Sequence, residues 1–119
     1  MPSQSAHLIQ ASHNKNLLED FDLLHTEFID WVVTVLFYSA VHYVEAFLAV
    51  RSIHSPIHAE RDRRVRNLLP DIYDSYNDLK NDSVEARYYM RQFSVDEISN
   101  EIAPNLEIVK NHILSRISS

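Results

Sequence analysis

The stretch that decides the fold is Trp31–Ala49, which reads WVVTVLFYSAVHYVEAFLA. Its first fourteen residues, up to Val44, carry no formal charge, and the acids Asp30 and Glu45 bound the run on either side. A membrane-spanning helix needs about twenty predominantly apolar residues, and this run is shorter. The run therefore predicts a long central helix, about residues 27–52, buried on most sides in a soluble protein.

The rest of the composition favours helices over strands. The chain of 119 residues contains no glycine, and the common two-residue hairpin turns depend on glycine for positive φ. A chain of this length is about the size of one domain. The sequence therefore predicts a single all-α domain, residues 1–119, built as an up-down bundle of four to five helices around the central one.

Capping residues and prolines predict where the other helices begin and end. A first helix is expected over Ser5–Asp20, and Thr26 is the expected N-cap of the central helix. Ser55 followed by Pro56 predicts the start of a third helix, because serine caps well and proline suits the first helical position. We expect that third helix to end near Pro70.

The C-terminal third carries the strongest helical periodicity. A fourth helix either runs continuously from Asp71 or restarts at a capping box opened by Asp82. Ser94 and Glu97 form a clearer capping box. The apolar residues behind it recur every three or four positions: Ile98, Ile102, Leu106, Val109, Ile113 and Ile117. Pro104 is expected to kink or split this last helix.

Charge and cysteine content limit the classes of function. The net charge of −6 argues against broad nucleic-acid binding driven by the field of the whole molecule. Without cysteine, neither a disulfide framework nor a thiolate metal site can form. The N-terminus lacks a basic region followed by an apolar stretch, so no signal peptide is predicted. We expect a cytoplasmic protein that is not bound to a membrane and uses no cofactor.

One segment departs from the acidic average. Arg51–Arg66, RSIHSPIHAERDRRVR, holds five arginines and two histidines but only two acids. In a helix His58 and Arg61 lie one turn apart on the same face, and His54 lies just before that helix. Imidazoles and guanidinium groups near a helix N-terminus suit a phosphate. The alternative for the remaining arginines is a solvated basic face.

A metal site is the competing interpretation of the same histidines. His54 and His58 have the spacing of a helical two-histidine site, but Pro56 disfavours helical geometry at Ser55. No thiolate lies nearby to complete a ligand set. The sequence therefore predicts no metal site.

A row of polar side chains lies on one face of the central helix: Thr34, Tyr38, His42 and Glu45. Polar groups on a largely apolar helix need hydrogen-bond partners. Two interpretations are open. The row forms an internal network that ties helix to helix, or Tyr38 and His42 line a cleft.

The central helix resembles the long second helix of HEPN domains, and YNDLKNDSVEARYY, Tyr76–Tyr89, is similar to a later segment of that family. The resemblance covers about residues 16–89. It implies a small helical bundle that is often dimeric. Many members are RNases of toxin–antitoxin or defence systems, frequently encoded beside a minimal nucleotidyltransferase. Others are non-catalytic modules that bind a nucleotide or a partner protein. Active members share an Arg followed after a short gap by a His, and here six residues separate Arg51 from His58.

The predicted site follows from these two lines of reasoning. In a metal-independent RNase, His58 would transfer the proton of a ribose hydroxyl or leaving group, with His54 as its partner. Arg61 and Arg51 would hold the phosphate and stabilise its charge. The residues expected to bind RNA or nucleotide are Arg64, Arg87, Tyr38 and His42. The alternatives are a binding module without catalysis, including a partner of a nucleotidyltransferase antitoxin, and a structural protein that dimerises through the stripe Ile98–Ile117. We expect a homodimer, and we expect Tyr88 and Tyr89 to be core residues.

Overall fold

The computed structural model describes residues 3–20, 28–55 and 57–117, and for residues 15–20 it describes the backbone alone. The elements in chain order are α1 (Gln4–Asp20), α2 (Ile29–Val50), α3 (His58–Leu68), a 3₁₀ turn (Pro70–Ile72), α4 (Tyr73–Tyr88), α5 (Val95–Glu97), a π-helical segment (Ile98–Ile102) and α6 (Ala103–Ile117). Within these described ranges no residue is in a strand. The all-α prediction is confirmed. The predicted N-cap Thr26 and the predicted first helical residue Pro56 lie outside the described residues.

Helix α2 is the central element of the bundle. It packs against α1, α4 and α6, and its fully buried side chains include Leu36, Phe37, Phe47 and Leu48. Each such side chain contributes roughly 1.5–3 kcal/mol when it leaves water. Among the described helices α2 alone is long and apolar enough to cross a membrane, but most of it is buried inside the fold. The apolar run forms the core of the fold.

A Schellman motif ends α2 two residues earlier than predicted. The N–H of Ser52 donates to the carbonyl of Ala49 at 3.0 Å, and the N–H of Ile53 donates to the carbonyl of Leu48 at 2.9 Å. This pair of bonds requires that the first residue after the C-cap is left-handed. That residue is Ser52, and its φ is 57°. Glycine usually takes this position, but the chain has none. The backbone therefore accepts strain at Ser52 to turn away from the central helix.

The third helix begins later than the sequence predicts. Its N-cap is Ile57, whose φ of −125° and ψ of 153° are extended, and its first residue is His58. Ser55 does not cap it. Instead Ser55 is buried, and its carbonyl accepts a hydrogen bond from Arg61. The tertiary contact has overridden the local capping preference.

The C-terminal half follows the sequence closely. Helix α4 runs continuously through Asp82, so the first of the two alternatives is correct. The capping box is present: Ser94 Oγ accepts from the N–H of Glu97, and the Glu97 carboxylate accepts from the N–H of Ser94. Pro104 lacks an N–H and would clash with the carbonyl one turn earlier. A π-helical segment that ends at Ile102, two residues before this proline, separates the predicted helix into α5 and α6.

Two predictions about apolar surfaces need correction. The stripe from Ile98 to Ile113 is buried in the core of the single chain, so it is not available as a dimerisation face. Tyr88 and Tyr89 are 70% and 75% exposed and are not core residues. The inward face of α4 instead carries Tyr76, Leu79, Ser83 and Ala86, and the helix ends at Tyr88.

Replacing Ser52 with Gly should raise the free energy of unfolding by roughly 0.5–1 kcal/mol, because glycine adopts a left-handed φ without steric cost. Urea denaturation measures this change. Ser52→Ala is the matched control, since alanine removes the hydroxyl but keeps the strain. A Ser52→Gly variant no more stable than Ser52→Ala would show that this turn is not strained.

Candidate functional site

Arg61 is the centre of the predicted site and is almost fully buried, at 8% exposed. Its Nε donates to Glu45 Oε1 at 2.7 Å. Its Nη1 donates to His58 Nδ1 at 2.9 Å, and its Nη2 donates to the carbonyl of Ser55 at 3.1 Å. These four residues, which we name the Arg61 network, join α3 and its preceding loop to α2. All three nitrogens of the guanidinium are engaged.

The network determines which form of His58 is present. A guanidinium can only donate, so His58 Nδ1 accepts and carries no proton. The ring is then neutral, with its proton on Nε2. Burial lowers the pKa of His58, and the charge of Arg61 lowers it further. The ring lies near Phe37, with centroids 5.9 Å apart, while the residue stays exposed. His58 therefore offers an N–H donor to solvent.

A second contact between imidazoles joins α1 to α2. His7 Nδ1 lies 3.0 Å from His42 Nδ1, with ring centroids 5.2 Å apart. One of the two nitrogens must carry the proton that the other accepts. Burial is the largest cause of the lowered pKa of both rings. His42 thus belongs to an internal network, the first of the two interpretations of the polar row.

The two histidine contacts share one electrostatic environment. The charge of Glu45 raises the pKa of His7 and of His42, whereas the charge of Arg61 lowers both. Sequence reasoning missed His7. Its position four residues before the buried Ala11 was the available signal, because residues at this spacing share a helix face.

Arg87 lies on the same side of the molecule as His58. Its Nη1 donates to the Tyr38 hydroxyl at 3.3 Å, and its other nitrogens donate to the carbonyl and hydroxyl of Ser83 at 3.2 and 3.3 Å. Its charge lowers the pKa of His58. Four predicted site residues therefore come together between α3 and α4: His58, Arg61, Arg87 and Tyr38.

The other predicted residues point elsewhere. The Arg51 guanidinium stacks on Phe47, 3.9 Å from the ring centroid. Phe47 is ten residues from Phe37 on α2, about 15 Å along the helix axis, so Arg51 and His58 pack on well-separated rings. Arg64 is half-buried, and its Nε has no hydrogen-bond partner within the described ranges. His54 is exposed and close enough for its charge to lower the pKa of His7.

A cavity of about 390 Å³ lies where the start of α2 meets the end of α4. Its lining includes Asp30, Arg87, Met90, Arg91 and Phe93. Arg87 is the one predicted site residue in that lining. A second, more open depression of about 450 Å³ on α1 is lined by Leu8, Ile9, Ser12 and His13.

The described part of the chain contains no group of three or more His, Asp or Glu side chains that could hold a metal ion. No family model matches the chain, and neither a curated protein nor a solved structure matches it.

Replacing Arg61 with Ala should lower the free energy of unfolding by about 3 kcal/mol or more, because it leaves the Glu45 carboxylate buried without its counter-ion. Chemical denaturation measures the loss. The control is Arg63→Ala on the same helix, where the side chain is exposed and the expected change is within about 0.5 kcal/mol. Equal effects of the two substitutions would contradict a stabilising role for the ion pair.

The protein should lose stability as the pH falls below about 6.5. The folded-state pKa values of His7, His42 and His58 are lowered from 6.5, so the unfolded chain takes up protons first. The stability contributed by the neutral rings is complete above the ordinary histidine pKa and is lost as the pH falls. Urea denaturation at about pH 7.5 and about pH 5.5 spans this window.

His42→Gln should reduce the difference between the two pH values, whereas His13→Gln, at an exposed position of α1, should preserve it. A free energy of unfolding that is the same at both pH values would be inconsistent with neutral, buried imidazoles.

Proposed function

We propose that this protein is a HEPN-like helical domain that binds the phosphate of RNA or of a nucleotide on the face between α3 and α4. The observation that carries the proposal is the placement of two exposed donors, His58 and Arg87, on this one face. Arg87 is close enough for its charge to act on His58. Arg87 supplies a cationic guanidinium group, and His58 supplies a neutral N–H donor.

The hydrogen bonds of Arg87 explain why its charge remains available. All of its acceptors are neutral oxygens, from Ser83 and Tyr38. Arg61, by contrast, is paired with Glu45, and Arg91 is paired with three carboxylates. Within the described ranges no carboxylate pairs with Arg87. An unpaired guanidinium beside an N–H donor suits a phosphate, which accepts charge-assisted hydrogen bonds.

The Arg61 network favours binding over acid–base catalysis by His58. A general base needs an unprotonated ring nitrogen within reach of the proton it removes. Here the unprotonated Nδ1 is occupied by Arg61, and Nε2 holds the proton. RNA cleavage would need a different base, and His54 is the exposed imidazole nearest to His58 in sequence. Cleavage is therefore the second candidate function.

The finer features of the proposal rest on the HEPN resemblance. They are the family arrangement of the helices, a homodimer, a nucleotidyltransferase partner and a cytoplasmic location. The buried central helix and the short helices packed on it are compatible with that arrangement.

Fluorescence anisotropy with a labelled single-stranded RNA tests the phosphate face. Arg87→Gln should weaken binding about tenfold, since a hydrogen bond to a charged group contributes about 1.5 kcal/mol. The slope of log affinity against log salt should become shallower by about 0.7 for the lost phosphate contact. The control is Arg63→Gln, an exposed arginine on α3, which should bind like the unmodified protein.

Equal affinities of the Arg87 and Arg63 variants would remove the proposed face. Incubation of the same RNA with the protein separates the two candidate functions. Binding without cleavage supports the module. Cleavage that survives His58→Ala but not His54→Ala supports catalysis by the second histidine.

A further inference from the structure

The cavity between the start of α2 and the end of α4 holds two opposite charges that do not neutralise each other. Asp30 and Arg87 both line it and are both exposed. Within the described ranges Asp30 makes no side-chain ion pair, and all acceptors of Arg87 are neutral. A volume of about 390 Å³ lies within the usual range for small-ligand sites, roughly 300–1,000 Å³.

The second cation of the cavity wall, Arg91, is already paired with carboxylates. Arg91 binds Asp82 at 3.3 Å and Glu97 at 2.9 Å, and it also contacts Glu85. Its guanidinium stacks on Phe93, 4.4 Å from the ring centroid. The ion pairs make Arg91 a fixed part of the wall. The charges left for a ligand are one guanidinium and one carboxylate.

The rest of the lining combines the amide of Gln92 with the apolar residues Ile29 and Ala86. Met90 and Phe93 contribute to the lining. Three exposed aromatic residues are immediate sequence neighbours of residues that line the cavity: Trp31, Tyr88 and Tyr89. Proteins that bind single-stranded nucleic acids stack bases on aromatic side chains and track the backbone with cations. This combination favours a nucleotide over a protein segment as the occupant.

We infer that this cavity binds the base of the nucleotide whose phosphate contacts Arg87, and that Asp30 selects guanine. The inference rests on the proposed phosphate face and adds a base subsite to it. A carboxylate has acceptors only. The Watson–Crick edge of guanine presents two adjacent donors, the N1–H and the 2-amino group. On the corresponding edges of adenine, cytosine and uracil no two donors are adjacent, so the two oxygens of Asp30 would meet a repelling lone pair on each of them.

Isothermal titration of the full chain with four probes tests the subsite: GMP, IMP, AMP and ribose 5-phosphate. GMP should bind about tenfold more tightly than IMP, which lacks the 2-amino group, because one charged hydrogen bond is lost. Asp30→Asn should remove the preference of GMP over IMP and AMP. It should leave the affinity for ribose 5-phosphate unchanged, since that probe has no base.

Asp96→Asn is the matched control, an exposed acid near the start of α5, and should keep the preference for GMP. Backbone amide NMR gives a second measurement that does not depend on affinity differences. GMP should shift the amides of Ala86, Met90 and Gln92, and ribose 5-phosphate should not shift that of Gln92.

The outcomes separate the subsite from the phosphate face. Equal binding of GMP, AMP and ribose 5-phosphate would overturn the base subsite and leave the phosphate face standing. Failure of all four probes to bind would overturn both. If a protein partner protected the Asp30 cavity while GMP did not, the site would be a docking surface, and the inference would be wrong.

Discussion

The ion pair between Arg61 and Glu45 is the interaction on which the rest of the site depends. Moving two charges out of water costs several kcal/mol per ion unless the remaining donors and acceptors are satisfied. The guanidinium meets this condition because its other two nitrogens donate hydrogen bonds to the ring of His58 and to the carbonyl of Ser55. One side chain thereby determines where α3 begins, how it docks on α2 and which nitrogen of His58 is protonated. The same two charges set the opposing influences on the imidazoles that join α1 to α2.

This burial changes the meaning of the basic segment. Five arginines within sixteen residues suggest one cationic patch, but successive residues of a helix point about 100° apart, so neighbours in sequence diverge in space. The buried arginine is neutralised, Arg51 stacks on Phe47, and Arg66 lies over Tyr73, 5.4 Å from its centroid. Arg87, on α4 and outside the basic segment, likewise has no carboxylate partner within the described ranges, and its charge acts on His58. Charge density along the chain therefore did not predict which arginines are buried, stacked or paired in the fold.

How much could be predicted depended on how far apart in the sequence the interacting residues lie. The central helix was predictable because its apolar run is long and local, and the His58–Arg61 contact followed from a spacing of one helical turn. The contact of His7 with His42 spans 35 positions, and no local pattern encodes it. The prediction that Ser55 caps the start of α3 was wrong for a related reason. The cap chemistry there is favourable, but the Ser55 carbonyl binds the buried Arg61, and Ile57, in an extended conformation, is the N-cap instead.

A chain without glycine must place other residues wherever the backbone turns left-handed, and within the described ranges it does so twice. At Ser52 the two bonds of the Schellman motif account for the conformation fully. At Met90, with φ 54°, the following N–H of Arg91 reaches back to the carbonyl of Glu85 at 3.2 Å, and the Arg91 side chain turns onto three carboxylates. The left-handed backbone at Met90, which costs roughly 1–2 kcal/mol for a non-glycine residue, thus lies directly before the arginine that gathers these three carboxylates.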